Sequence, residues 1–274
     1  MLKLAIFDLD HTLLNDDKTL SKVNQDAIQK LKNQGVIIAC ATGRNEMMAR
    51  PFARKIGVNG PLIINNGALL KDFESGNILY ERPLEKPDQA FVIDYALEHD
   101  LNYVVYTDEG VITTRKDRLS VYQGWNQAHP SDKLTYQQSD DRAVLKAKKA
   151  YKILLIIEDE ATITKVKADL VHLNDIAMIK SSQTFLDVMH RDVDKAEALK
   201  RYCTYAKIPL KDVIAFGDND NDAAMLKQVG YGFAMKNGTS MAKAHADYIT
   251  EKPHDQNGVA DILNQLDTYL KYDI

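Results

Sequence analysis

The chain has 274 residues, 45% hydrophobic and 27% charged, the balance of a globular protein long enough for a full core and for two domains. Its formal net charge of -4 supplies no general attraction to nucleic acid or to an anionic membrane. No apolar run approaches the roughly 20 residues of a membrane-spanning helix, the N-terminus does not read as a signal peptide, and Cys40 and Cys203 have no metal-type spacing; a cytoplasmic protein is expected, its oligomeric state left open.

Leu4 to Phe7 is an unbroken apolar run, the pattern of a strand buried on both faces in a parallel sheet. Asp8 and Asp10 follow where that strand should end, the place where open α/β sheets bind ligands. Two apart on an extended chain, they would share one face. Like charges that close repel unless a cation or a proton intervenes. Leu20, Val23, Ala27, Ile28 and Leu31 recur at helical spacing before Gly35, and Val36 to Ala41 is a second apolar run, leading into Thr42-Gly43-Arg44. Met47 to Ile56 reads as a helix stopped by Gly57, and Pro61 to Ile64 as a third strand ending in Asn65-Asn66-Gly67. Strand–loop–helix alternation of this kind predicts a doubly wound parallel sheet. Leu69-Leu70 and Ile78 to Tyr80 read as a hairpin.

Beyond Pro83 and Pro87 the rhythm changes. Ala90 to His99 and Ile163 to Leu173 read as helices, with a further helix expected between the strands at Val111 to Thr114 and Tyr151 to Ile157. Tyr103 to Tyr106, Val111 to Thr114, Tyr151 to Ile157, Ala177 to Lys180 and Phe185 to Met189 read as strands, and the polar segment Gln127 to Asp141 as a loop. An inserted α+β module over 84–187 is expected, within a core made of 1–83 and 188–274. The core rhythm resumes with a helix through Ala196, Leu199, Cys203 and Ala206, then a strand over Val213 to Phe216 that ends in Gly217-Asp218-Asn219-Asp220-Asn221-Asp222. A helix over Ala223 to Val229, strands over Gly232 to Met235 and Tyr248-Ile249, and a closing helix over Val259 to Leu270 complete the chain.

Taken singly, these polar strand ends are ordinary: Thr42-Gly43 is a plain turn, Lys195 one of many lysines, and 218–222 a solvated helix start. Their order is much more specific. Asp8-x-Asp10-x-Thr12, Thr42 closing the next strand, Lys195 before a helix, and Gly217-Asp218-x-x-Asn221-Asp222 together resemble the four motifs of the haloacid dehalogenase-like hydrolases, most closely the Cof-type sugar-phosphate phosphatases. Asn66-Gly67-Ala68 and Asn257-Gly258-Val259-Ala260 resemble signatures of that branch, and the middle module has the size and element order of its large, C2B-type cap. Two positions depart from the pattern: His11 and Ala196 stand where glycine is usual. Ala196 is harmless in a helical backbone. His11 adds a titratable ring beside the site, most simply an exposed loop residue.

The resemblance implies a phosphatase of small phosphorylated metabolites. Asp8 would be the nucleophile that forms an aspartyl-phosphate, and Asp10 the acid and then the base. That double duty favours a raised Asp10 pKa. Mg²⁺ would be held by Asp8, Asp218 and the Asp10 carbonyl. Thr42, Gly43, Asn221 and Lys195 would bind the phosphoryl group, and Arg44 and Asn66 would touch the substrate. Thr12 and Asp222 would support the ligands from behind, and the inserted module would act as a lid. In that module Tyr122, Trp125 and Arg118 read more simply as packing or surface than as substrate contacts. A phosphomutase or phosphotransferase would carry the same motifs, and a non-catalytic phospho-ligand sensor would lose Asp8 or Asp10, both present here. The dinucleotide fold is disfavoured, since no Gly-x-Gly-x-x-Gly follows the first strand.

Overall fold

The computed structural model describes residues 1–180 and 183–270, without the side chains of 116 and 117. Two compact units emerge, Met1–Glu81 with Asp194–Ile274, and Arg82–Val193. The first begins with β1 (Leu4–Phe7), α1 (Lys22–Asn33), β2 (Ile37–Ala41), α2 (Glu46–Ile56), β3 (Pro61–Ile64), β4 (Leu69–Asp72) and β5 (Ile78–Glu81). The second holds α3 (Lys86–Glu98), β6 (Asn102–Thr107), β7 (Gly110–Thr113), α4 (Lys116–Ala128), β8 (Tyr136–Gln138), α5 (Arg142–Ala147), β9 (Ala150–Ile156), α6 (Glu160–Asp169), β10 (Ile176–Lys180) and β11 (Phe185–His190). The chain then returns through α7 (Lys195–Tyr205), β12 (Val213–Gly217), α8 (Ala223–Gln228), β13 (Tyr231–Ala234), α9 (Ser240–His245), β14 (Tyr248–Ile249) and α10 (Gly258–Asn264).

The eight strands of the first unit run in the order β14-β13-β12-β1-β2-β3-β4-β5. β1 pairs in parallel with both β12 and β2, and β2 with β3, while β4 and β5 add an antiparallel edge. Leu4, Ala5, Ile6 and Phe7 are all fully buried, as a strand with helices on both faces requires. One face packs Leu4, Ile6, Ala39 and Ala215 against Ala198, Leu199 and Cys203 of α7 and Met225 and Leu226 of α8. α1 lies against α2 and α10, none of which contributes to that cluster. The sheet is thus doubly wound. Phe7, Phe216 and Phe233 stack in a row across β1, β12 and β13, giving the strand ends a rigid floor.

The helices start and stop where their side chains dictate. Asn45 and Asp194 cap α2 and α7 by accepting from Met48 N and Ala196 N. Gly57 ends α2 at φ 80, a conformation that is cheap only without a Cβ.

The second unit is a six-stranded sheet in the order β10-β11-β9-β6-β7-β8, antiparallel except for β7 with β8. Its core joins Val92, Ile93 and Ala96 of α3 to Tyr103, Ile153, Leu155 and Val188 of the sheet. Tyr122 is buried beside Tyr136, Trp125 stacks on His129 and Arg118 lies over the Phe185 ring, so each packs within this unit.

The sequence reading differs at four places. The expected loop over 127–141 contains strand β8, and α5 follows it. α9 has no counterpart in that reading. The closing helix stops at Asn264, and Leu266–Thr268 continue as a 3₁₀ turn. β11 runs on to His190, paired with Ile176, so the chain passes between units at Val193 and Asp194, later than a boundary at 187.

Candidate active site

Four adjacent parallel strands present polar residues at their carboxyl ends: β12 with Asp218, β1 with Asp8, β2 with Thr42 and β3 with Asn65 and Asn66. α7 brings Lys195 to the same edge. Its amine lies 2.7 Å from Asp8 Oδ1 and 2.7 Å from Asp222 Oδ1. All three side chains are buried: Lys195 is 1% exposed, Asp8 5% and Asp222 0%. Asp222 also accepts from the Asp218 and Asn219 amides through Oδ2, which closes the turn between β12 and α8. Gly217 makes that closure possible, because a Cβ there would meet Asp222 Cβ at 2.5 Å. Thr12 donates to Asp218 Oδ1 at 2.9 Å, joining the loop after β1 to the loop after β12.

Carboxylate oxygens of Asp8, Asp218 and Asp222 lie within 4.8 Å of one another. Burial and then the neighbouring Asp222 carboxylate push Asp218 up to about 6. Burial also drives Asp8 well above the usual carboxylate range, against the pull of Lys195. One lysine does not offset three crowded carboxylates. The donor set is all hard oxygen, and among the described residues no cysteine joins it, so a small divalent cation fits the group.

Asp10 belongs to a different local network from Asp8. β1 ends at Phe7 and the chain turns there, so the extended backbone on which a shared face was expected does not reach Asp10. Arg44 grips Asp10 with both ends of its fork, Nε to Oδ2 and a terminal nitrogen to Oδ1, each at 2.7 Å. Lys18 adds a contact at 3.1 Å. Burial alone would raise the Asp10 carboxyl, but the Arg44 bonds and charge, with Lys18, outweigh it and hold it at about 2. The expectation of a raised Asp10 pKa is therefore corrected: in this arrangement Asp10 is a firmly ionised carboxylate. Nothing in the spacing of Lys18 or Arg44 announced that pairing.

The remaining motif residues line the same edge. Thr42 is 1% exposed; its Oγ1 accepts from the Arg44 amide and its carbonyl accepts from the Asn66 amide. Gly43 packs directly on Asn66, whose Oδ1 would lie 2.8 Å from a Cβ at Gly43. Asn221 donates to that same Asn66 oxygen at 2.9 Å, and its own Oδ1 is buried with no hydrogen-bond partner among the described residues. Asn65, Asn66 and Gly67 take φ of 49, 60 and 102 in succession, a tight left-handed turn. The Asn65 Oδ1, also without a partner, is a site feature the sequence reading passed over. Gly67 touches the start of α7, since its Cβ would meet the Asp194 carbonyl oxygen at 2.3 Å. Ala196 sits in helical backbone there and disturbs nothing. Asp8, Lys195, Asp222, Asp218 and Thr12 are thus joined by hydrogen bonds into one cluster, with Asn221 and Asn66 as a pair beside it and Arg44 and Asp10 as a pair on the neighbouring loops.

Fold and site together define an α/β enzyme with a carboxylate–lysine centre at the carboxyl ends of its central strands. The chain belongs to the haloacid dehalogenase-like hydrolases, whose family model matches residues 5–263. A Bacillus subtilis relative, 5-amino-6-(5-phospho-D-ribitylamino)uracil phosphatase YcsE, is 29% identical across 94% of this chain and 93% of its own length. The HMP-PP phosphatase of Yersinia pseudotuberculosis is 28% identical across 89% of this chain and 87% of its own. A crystal structure of a haloacid dehalogenase-like hydrolase from Bacteroides thetaiotaomicron superposes with a TM-score of 0.85 at 27% identity, covering 97% of this chain and 100% of that one. Within the family the chain falls among the phosphatases, enzymes of the phosphoric monoester hydrolase class. Among the described residues no helix is long and apolar enough to cross a membrane.

Proposed function

We propose that this chain is a Mg²⁺-dependent phosphatase acting on small phosphorylated metabolites, sugar phosphates or similar, through an aspartyl-phosphate on Asp8. The observation that carries the reading is the Lys195 amine, bridging Asp8 and Asp222 in a buried setting at 2.7 Å to each. A buried lysine placed there holds the nucleophile's carboxylate in one orientation and offers positive charge to a phosphoryl oxygen. Bound Mg²⁺ would lie among Asp8, Asp218 and the Asp10 carbonyl and would supply further positive charge to the phosphoryl group. An Asp8 oxygen attacks phosphorus as the phosphorus–ester oxygen bond breaks, and Asp10 gives its proton to the leaving alcohol. Water then attacks phosphorus, Asp10 takes the water proton, and the bond from Asp8 to phosphorus breaks to release inorganic phosphate.

The Arg44 fork on Asp10 sets a condition on this sequence. Asp10 can carry a proton only when Arg44 has another partner, and a phosphate dianion is the natural competitor for a guanidinium fork. Substrate binding by Arg44 and release of Asp10 are then one event. Thr42, the Gly43 amide and Asn221 are read as donors to the phosphoryl oxygens, with Asn66 orienting Asn221 and in reach of the substrate, and Thr12 and Asp222 supporting Asp218 and Lys195. The catalytic steps are assigned to the first unit and the choice of leaving group to the second, on the family's pattern. The names of the two curated phosphatases support a small phosphorylated metabolite as substrate.

The test is a screen of phosphorylated metabolites in Mg²⁺, measuring released phosphate with and without an acceptor sugar. Asp8→Asn is expected to abolish turnover while circular dichroism and melting temperature stay near the parent's. Near-parental activity in Asp8→Asn would end the proposal.

A further inference from the structure

The residue between Asp10 and Thr12 has no part in the reading above. It is a histidine held at φ 58, where a side chain costs about 1–2 kcal/mol relative to glycine. The His11 imidazole is half exposed and meets the His254 ring edge-on, with centroids 5.3 Å apart. Asp16 stands beside both: its Oδ1 is 3.0 Å from His254 Nε2 and 3.7 Å from His11 Nδ1. One ligand atom from each of the three lies within 4.8 Å of the others. Asn237 ties the two histidine backbones together, donating to the His11 carbonyl at 2.8 Å and accepting from the His254 amide at 3.0 Å. His254 is itself 8% exposed, and its other ring nitrogen, Nδ1, has no hydrogen-bond partner among the described residues.

We propose that His11, Asp16 and His254 form a second metal site, for a divalent transition ion of the Zn²⁺ type. The geometry suits such an ion. Tetrahedral ligands at bonds of about 2.0–2.2 Å stand about 3.4 Å apart, and the two distances to Asp16 bracket that value. The chemistry differs from that of the Asp8, Asp218 and Asp222 group: two imidazoles and one carboxylate are borderline-soft and favour Zn²⁺ over Mg²⁺. His11 and Asp16 are 52% and 77% exposed, so an ion reaches the site from solvent and keeps at least one position for water. Lys18, whose charge acts on His11, is itself paired with Asp10 at 3.1 Å. His11 is joined directly to Asp10, so an ion held there restrains the residue whose release from Arg44 the proposed turnover needs. Binding stands without the phosphatase reading; the inhibition that follows from it rests on that reading, and the two are measured apart.

The test titrates Zn²⁺ into the full chain in excess Mg²⁺ by calorimetry, on the parent, His11→Gly, Asp16→Ala and Asp218→Asn. The replaced residues at 11 and 16 are exposed, and glycine suits φ 58, so those variants should melt like the parent. One Zn²⁺ per chain is expected in the parent, about tenfold or more weaker in His11→Gly and Asp16→Ala and unchanged in Asp218→Asn. No Zn²⁺ binding, equal affinity in His11→Gly, or loss confined to Asp218→Asn would overturn the site. Separately, Zn²⁺ should slow hydrolysis of p-nitrophenyl phosphate by the parent and not by His11→Gly; equal inhibition of both would overturn the coupling.

Discussion

Replacing Lys195 with methionine removes one positive charge from between two buried carboxylates while nearly preserving side-chain length. The amine is 2.7 Å from both Asp8 and Asp222, and neither of these side chains exceeds 7% exposure, so water cannot replace it. Taking one partner from a buried ion pair costs about 3–5 kcal/mol. At about 2–4 °C per kcal/mol for a domain of this size, the melting temperature should fall by about 6–20 °C. The sign with pH follows from Asp8. Burial first, then Asp222 and Asp218, already push its carboxyl upward, and Lys195 is what opposes them. Without the lysine the folded-state pKa rises further. A carboxyl whose folded pKa is raised favours folding while protonated, and that benefit is lost as pH climbs through the folded value. The deficit of Lys195→Met should therefore be largest near pH 8 and narrow toward pH 5. Thermal unfolding by circular dichroism at both pH values, in metal-free buffer, reads it. A melting temperature within about 2 °C of the parent at pH 8, or a deficit that widens at pH 5, would refute the electrostatic account of the site.

Three further outcomes follow from the same geometry. Arg44→Ala removes the two 2.7 Å bonds that hold Asp10 at about 2, so the Asp10 carboxyl should titrate higher by carbon-13 NMR, and turnover should fall on the order of 10²-fold; an unmoved titration would show that Lys18 alone suffices. Asp218, raised to about 6 by burial and by Asp222, binds protons in competition with metal, so Mg²⁺ should lift the melting temperature more at pH 7.5 than at pH 5.5, by about as much as a one-site linkage allows; an equal gain at both would remove Asp218 from the metal's surroundings. Gly217→Ala drives a Cβ to 2.5 Å from Asp222 Cβ and should unseat the bonds from Asp222 to the Asp218 and Asn219 amides, lowering both melting temperature and turnover, whereas a fully active, equally stable variant would contradict that packing.

Much of the first unit can be read from residue order. β1, β2, β3 and β12 are unbroken apolar runs, and only burial on both faces makes such runs stable, so the parallel sheet follows from composition alone. The polar residues at their ends carry their chemistry with them: a carboxylate is a carboxylate in any fold. What escaped the reading is short or exposed. β8 has three residues, two of them exposed, and exists because β7 offers it a ladder of backbone groups; no pattern of period two fits in three residues. α9 has six residues and is held by Thr239 at its cap, below the length at which helical periodicity becomes visible. The leucines after Asn264 keep their helical spacing while the backbone tightens into a 3₁₀ turn, so spacing alone could not separate the two.

At the site the division is sharper. Residue order determined which groups are available: Asp8, Asp10, Thr42, Arg44, Lys195, Asp218, Asn221 and Asp222, spread over more than two hundred positions. Tertiary structure decided which of them face each other. It set Lys195 between Asp8 and Asp222, closed Arg44 on Asp10 where the order of residues suggested a free acid, and drew His254 to within reach of His11 and Asp16. The physical reason is that a side chain's charge state depends on distance and on exclusion of water. Neither quantity is a property of the residue; both arise only when separate strands end at the same edge of one sheet.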